Sequence, residues 1–578
     1  MRKYISYLAP FGGKIALALT IKFIGTVFDL LIPYILEHII DNVSPKKDVK
    51  LIIFWGAVMV VCSVLAVLGN IIANRRVSRV SSDTVRVIRH DLFVKTIYLS
   101  CAETDKFTIP SLESRLTTDT YNVHNFTNQM LRMGVRAPIL LIGGLILTAT
   151  MDPVLTLVLA ATLPFITVSV YFISKKSIPL YTDMQKSTDD MVRTVRENIS
   201  GIRVIKALSK TQYEKNRFAG VNRKLMKSEE KAGIAVASTN PLMNFFLYAG
   251  LTVVIALGAY RVNAGVTGVG VIIAFISYFT YILNAMLSVT RIFVSYSKCA
   301  ASMERITEVL DSPAELTVMT PDEGEESPEP DENAPHIEFD GVTFSYAGRT
   351  NNVENVSFKL RHGGTLGIIG ATGSGKTTLI SLLMRFYDPD SGTIKIDGVD
   401  IRYMDPDTLL SRFGIALQSD FLVSGTIREN VRFGRDISDE ELEEAIFAAQ
   451  AKEFVESKGG GLDFKLDIKG ANLSGGQKQR VVLSRALASK PEILILDDSS
   501  SALDYKTDAN LRAAIARYAK DSTKIIVAQR VSSIMSSDLI LVMDSGRVIA
   551  SGNHDELYGS CEIYREIADS QMGGAILD

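Results

Sequence analysis

Residues 370–378 read Gly370-Ala371-Thr372-Gly373-Ser374-Gly375-Lys376-Thr377-Thr378, and their reading decides the fold of the second half of the chain. The apolar run Thr365-Leu366-Gly367-Ile368-Ile369 before them predicts a buried strand. Leu379-Ile380-Ser381-Leu382-Leu383-Met384 after them predicts the start of a helix. In that setting Gly-x-x-x-x-Gly-Lys-Ser/Thr is a phosphate-binding loop. Glycine lets the backbone wrap tightly, so that successive N–H groups and a helix N-terminus face phosphate oxygens. Lys376 is then expected at the β- and γ-phosphates and the Thr377 hydroxyl at Mg²⁺. The motif predicts binding of a nucleoside triphosphate.

Working outward, the 578 residues exceed one ordinary domain. Hydrophobic residues make up 47% and mean hydropathy is positive, which suits a chain partly in lipid and partly in water. The net charge of −2 provides no basic field for nucleic acid. Cys62, Cys101, Cys299 and Cys561 lie far apart, without metal-ligand spacing, and read as free thiols. The basic N-terminus leads into an apolar stretch too long for a signal-peptide core, which therefore reads as a first membrane span.

Six apolar segments precede the phosphate loop, at 15–40, 51–72, 134–150, 154–173, 241–262 and 269–294. Each is long enough, or nearly so, to cross a bilayer. Long polar stretches with helical periodicity follow the second and fourth segments, whereas the other connections are short. Arg75, Arg76, Arg79, Arg86 and Arg89 open the first long stretch, and Lys175 and Lys176 the second. The excess of positive charge places both stretches, and both termini, in the cytoplasm, although Lys46, Lys47 and Lys50 run against it. Lys22, Asp29, Arg132, Arg136 and Arg291 fall in or near the spans. A charge in lipid is costly, so each is expected to face a cavity or a partner, or to snorkel to the interface. Phe245, Phe246, Tyr248, Tyr278, Phe279 and Tyr281 read as an aromatic stripe that either lines an apolar cavity or packs against other helices or lipid.

Residues 312–335 turn abruptly acidic and proline-rich, the composition of a solvated linker. This divides the chain into a transmembrane domain at 1–311 and a nucleotide-binding domain at 336–578. The fold class expected is a six-span α-helical domain followed by an α/β domain. In the latter, Ile337-Glu338-Phe339-Asp340-Gly341-Val342-Thr343-Phe344-Ser345-Tyr346 alternates as strands do. Leu473-Ser474-Gly475-Gly476-Gln477 opens a second helix whose N-terminus can grip a phosphate. Ile493-Leu494-Ile495-Leu496-Asp497-Asp498 is a buried strand, and Asp497 at its end is suited to hold Mg²⁺ through water.

With these motifs behind six spans, nearly the whole chain resembles an ATP-binding cassette (ABC) exporter half-transporter. The resemblance implies that Tyr346 stacks on adenine and that Gln418, in Ile415-Ala416-Leu417-Gln418-Ser419, touches Mg²⁺. It makes 473–477 the signature that grips ATP held by an opposite cassette, and Asp504, in Ser501-Ala502-Leu503-Asp504, part of the loop that crosses to it. It also implies short coupling helices near 110–118 and 208–214, the second preceded by Glu197-Asn198-Ile199-Ser200-Gly201; read without it, both are ordinary amphipathic helices.

Two positions depart from the family pattern. The general base is usually a Glu after the Walker B Asp, and here it is Asp498. One methylene sets its carboxylate back by about 1.5 Å, and misplacement on that scale costs roughly a hundredfold in rate. The usual His is Gln529, in Ile525-Ile526-Val527-Ala528-Gln529-Arg530. It can hydrogen-bond a γ-phosphate but cannot carry a proton near neutral pH. His38, His90, His124, His336, His362 and His554 lie elsewhere and do not replace it. The expectation is a cell-membrane ATPase, resembling the degenerate-site subunit of bacterial heterodimeric multidrug exporters. Such a subunit binds ATP and Mg²⁺, hydrolyses slowly, and pairs with a second half-transporter to export a drug-like, lipid or peptide amphipath. A self-sufficient homodimer and a regulatory nucleotide-binding subunit gating a membrane complex remain as alternatives.

Overall fold

The computed structural model describes all residues except 314–315, 317, 321–329, 332, 347, 349–350, 420, 500 and 573–578. The most acidic part of the expected linker therefore lies outside the described residues. The chain divides into two compact units, one of Met1–Ile97 with Phe107–Ser312 and the other of Tyr98–Lys106 with Pro313–Asp578.

The first unit is helical. Among the described residues six helical segments are long and apolar enough to cross a membrane: Arg2–Lys46, Val49–Ile97, Ile109–Met151, Pro153–Ser200, Pro241–Asn263 and Val269–Asp311. At 1.5 Å per residue the longest, of 49 residues, reaches about 70 Å, more than twice the bilayer core. The polar halves of such helices therefore continue into water. Small residues let the first two spans approach backbone to backbone, and a Cβ on Gly69 would stand 3.1 Å from the Gly25 Cα. The short connections are tied by carboxylates. Asp152 caps the helix Pro153–Ser200 through the N–H groups of Val154 and Leu155 and accepts from Arg261 Nε at 2.9 Å. Asp41 accepts from the Gly270 and Val271 N–H groups that open the last span.

The ionisable residues of the first three spans form a network, whereas Arg291 in the last does not join it through the hydrogen bonds of the described residues. Lys22, 2% exposed, donates to the Asn70 and Asn74 side-chain oxygens at 2.8 and 3.1 Å. Asn70 Nδ2 donates in turn to Asp29, which pairs with Arg136 at 3.1 Å. Arg132 Nη2 approaches the Asn74 carbonyl at 3.5 Å, and Arg291 Nε its own helix at Leu287. The aromatic residues divide. Tyr278 and Phe279 are core, with the Tyr278 hydroxyl donating to the Leu30 carbonyl at 2.8 Å, and Phe246 stacks on Phe165. Phe245 and Tyr248 are exposed.

The expected coupling positions are partly shifted. Residues 110–118 form a helix, Ile109–Ser114, and a wider turn, Arg115–Asp119, that stay with the first unit. It is Tyr98–Lys106, with most of the helix Cys101–Phe107, that groups with the nucleotide-binding unit; there the Tyr387 hydroxyl donates to Asp105 at 2.6 Å. At 208–214 the chain breaks between the helices Ile202–Ala207 and Thr211–Ala237, with Ser209 at φ +55°.

The second unit holds two main sheets. One is antiparallel, in the order Val353–Leu360, Ile337–Phe344, Ser391–Ile396 and Val399–Asp400. The other runs Arg547–Gly552, Leu539–Asp544, Thr365–Gly370, Thr523–Val527, Ile493–Asp497 and Phe413–Ala416. All its strands are parallel except the antiparallel edge strand Arg547–Gly552. Ile493–Asp497 is buried throughout, the uniform apolar pattern of a strand covered on both faces.

Candidate nucleotide-binding site

In a parallel sheet the loops after neighbouring strands gather at one end, where ligands of α/β proteins bind. Here four neighbouring strands each deliver a residue anticipated from the sequence. The phosphate loop follows Thr365–Gly370, Gln529 follows Thr523–Val527, Asp497 ends Ile493–Asp497 with Asp498 next, and Gln418 follows Phe413–Ala416.

The loop has the backbone that its glycines permit. Gly373 and Gly375 have φ of +83° and +99°, and a Cβ on Gly375 would stand 2.5 Å from the Asn352 carbonyl oxygen. Gly370 is equally confined, with the Met543 carbonyl oxygen 2.2 Å from where its Cβ would be. Ala371 and Thr372 lie on the exposed side of the turn, Ser374 is buried, and Thr378 is buried on the helix Lys376–Leu383. Lys376 Nζ donates to the Gly370 and Ala371 carbonyls at 2.8 and 2.7 Å. Burial holds its pKa below the ordinary lysine value, against the pull of Asp497 and Asp498.

The Thr377 hydroxyl donates to Asp497 Oδ2 at 3.0 Å, and Asp497 is 2% exposed. Burial raises its pKa, the Thr377 hydrogen bond opposes the rise, and the Asp498 charge adds to it. A hydroxyl and a carboxylate side by side, with the Gln418 amide beyond the end of the next strand, are hard oxygen donors that suit Mg²⁺. Thr377, Asp497 and Gln418 would hold it.

The two departures from the family pattern meet each other. Asp497 pairs with Val527 in register, so the residues just beyond those strand ends are neighbours. Gln529 Nε2 donates to Asp498 Oδ2 at 2.9 Å, and the Asp498 N–H donates to the Val527 carbonyl at the same distance. Asp498 sits at φ +49°, in the left-handed region. Burial raises its pKa, opposed by the Gln529 hydrogen bond and the charges of Lys376 and Arg530. The sequence shows both substitutions but not their bond, because the pairing depends on strand register. Arg530, which stacks over the Tyr505 ring at 4.6 Å, is a neighbour that the motif reading missed.

The remaining residues have contacts of their own. Ser474 caps the helix Gly475–Leu487 in a capping box with Gln477, and Gly476 is so close to Ala502 that a Cβ would come within 3.1 Å of its carbonyl oxygen. Gln479 bonds Ser501 and Ala502, tying this helix to the loop that leaves Asp498. Asp504 caps the helix Tyr505–Tyr518 through Thr507, a structural task the motif did not reveal. Tyr346 is 47% exposed and meets Phe344 and Tyr387 edge-on, at ring-centroid distances of 4.9 and 5.0 Å.

Comparison with known proteins agrees with this geometry. Residues 15–286 match the ABC transporter transmembrane region and residues 353–501 the ABC transporter family. The chain belongs to the ABC transporter family. An uncharacterized ABC transporter ATP-binding protein of Mycobacterium tuberculosis is 34% identical, covering 98% of this chain and 97% of its own. The uncharacterized ABC transporter ATP-binding protein YfiB of Bacillus subtilis is also 34% identical, over 99% of each chain. The fold is similar to that of a bacterial Atm1-family ABC exporter solved with ATP bound, with a TM-score of 0.80 and 23% identity over 97% of this chain and 99% of that one. As a family member this is a multi-span membrane protein with a cytoplasmic cassette of the ABC ATPase type.

Proposed function

We propose that the chain is the slowly hydrolysing half of a heterodimeric exporter of small hydrophobic or amphipathic compounds. The observation that carries this reading is the hydrogen bond between Gln529 and Asp498. A general base must reach the proton it abstracts and have a lone pair free to take it. Asp498 is set back by one methylene, and one of its oxygens already accepts from Gln529. Gln529 has no titratable group with which to move a proton near the γ-phosphate.

The binding elements are intact, which supports ATP retention. The loop N–H groups and Lys376 neutralise phosphate charge, and Thr377, Asp497 and Gln418 orient Mg²⁺, which when bound draws charge from the phosphates. The signature Ser474–Gln477 keeps its helix N-terminus for ATP carried on a second half-transporter. ATP-driven closure would favour one orientation of the spans, and hydrolysis on the second half would reset it.

The test is hydrolysis by the purified chain alone and with a second half-transporter that retains Glu and His. Near-background turnover alone, restored by pairing and abolished when the second half's Glu is changed to Gln, is expected. Robust turnover by the chain alone, lost in Asp498→Asn, would contradict the proposal and make the chain self-sufficient.

A further inference from the structure

At the end of the strand Thr365–Gly370 away from the phosphate loop, three residues from separate segments converge. His336 precedes the strand Ile337–Phe344, His362 lies in the turn before Thr365, and Asp397 forms the turn after Ser391–Ile396 at φ +51°. The two imidazoles stack with centroids 4.0 Å apart and planes 9° from parallel. Asp397 Oδ1 is 2.9 Å from His362 Nε2 and 3.9 Å from His336 Nε2. One donor atom from each residue lies within 4.8 Å of the other two.

His336 is 2% exposed, and its Nε2 is buried without a hydrogen bond; the buried Asp397 Oδ1 stands against His362 Nε2. A buried ring nitrogen left without a partner is costly, and Asp397 Oδ1 faces it across 3.9 Å. The other His336 nitrogen, Nδ1, is fixed 2.6 Å from Thr523 Oγ1, which also accepts the Gly363 N–H at 3.0 Å. With Nδ1–H given to Thr523, Nε2 presents a lone pair, the arrangement by which a second-shell oxygen fixes a metal-binding histidine. Arg412 bonds the second Asp397 oxygen as well as Glu492 and so orients the carboxylate.

We propose that His336, His362 and Asp397 form a binding site for a divalent transition-metal ion of the Zn²⁺ class. Two imidazoles and one carboxylate favour Zn²⁺, Co²⁺ or Ni²⁺ over Mg²⁺ or Ca²⁺. A tetrahedral ion at about 2.0–2.1 Å needs ligand atoms about 3.3–3.4 Å apart, and the two separations from Asp397 bracket that value. Stacked rings aim their lone pairs along parallel lines, so one ring must turn. His362 does so, because it is half exposed on a turn, whereas Thr523 and burial hold His336. The fourth position is left to water. The bound ion would tie the first residue before the cassette's opening strand to two of its turns.

The test uses the full-length protein in detergent, with an affinity tag free of histidine and no nucleotide, titrated with Co²⁺ and with Zn²⁺. One equivalent of each is expected, with tetrahedral Co²⁺ absorption lacking thiolate charge transfer. His362→Ala and Asp397→Asn should each weaken binding at least tenfold while ATP binding is unchanged, and Asp497→Asn should leave the Co²⁺ spectrum intact. Absence of stoichiometric Co²⁺ or Zn²⁺, or binding unaltered in both His362→Ala and Asp397→Asn, would overturn the proposal.

Discussion

Gln529 and Asp498 show how two substitutions act as one when their side chains bond to each other. The motif was legible residue by residue, because glycine, lysine and carboxylate spacing follows from phosphate chemistry. Their bond was not, because strand register is a tertiary property. The same holds for His336, His362 and Asp397, which are separated in sequence and meet only once the two sheets assemble. Gly375 gives a sharp test at this scale: at φ +99° and 2.5 Å from the Asn352 carbonyl, it has no room for a methyl group. Gly375→Ala should weaken ATP binding more than tenfold in a nucleotide-binding assay, and unchanged affinity would contradict the loop geometry. Within the spans, Asn70 links Lys22 to Asp29. Asn70→Leu removes that link and leaves both charges short of a partner, at about 1–3 kcal/mol. The thermal midpoint of the detergent-solubilised protein should fall accordingly.

At the scale of elements, run length made the spans legible, and caps fixed where helices begin. Ser438 and Glu441 form a capping box on the helix Asp439–Ala448. Ser438→Ala should cost about 1 kcal/mol, read as a lower thermal midpoint with ATP affinity unchanged. The short helices were less legible. Cys101–Phe107 and Ile109–Ser114 are too short for periodicity to mark them, and Thr108 between them takes φ +63°, which no local residue preference predicts. The segment that groups with the nucleotide-binding unit therefore lay earlier than the resemblance placed it. The aromatic residues of the last two spans read as one stripe, yet packing buries Tyr278 and Phe279 and leaves Phe245 and Tyr248 exposed. Sequence spacing alone does not say which side of a membrane helix meets a neighbour.

For the whole molecule, six spans with both long polar stretches in the cytoplasm make an accessibility prediction. In a background with Cys62, Cys101, Cys299 and Cys561 replaced, Lys47→Cys should react with an impermeant thiol reagent on intact cells. Ser209→Cys should react only after permeabilisation, and the reverse pattern would invert the topology. Composition and hydropathy carried this level of the fold well, because lipid allows few backbone solutions. The site's chemistry rests on finer distances, and one measurement bears on it most directly. It is the steady-state ATP turnover of the purified chain against its Asp498→Glu/Gln529→His double variant. Restoring the longer carboxylate and a titratable ring should raise turnover of the chain alone by about ten- to a hundredfold, with ATP affinity little changed. Equal turnover in the two proteins would contradict the claim that these two residues limit hydrolysis.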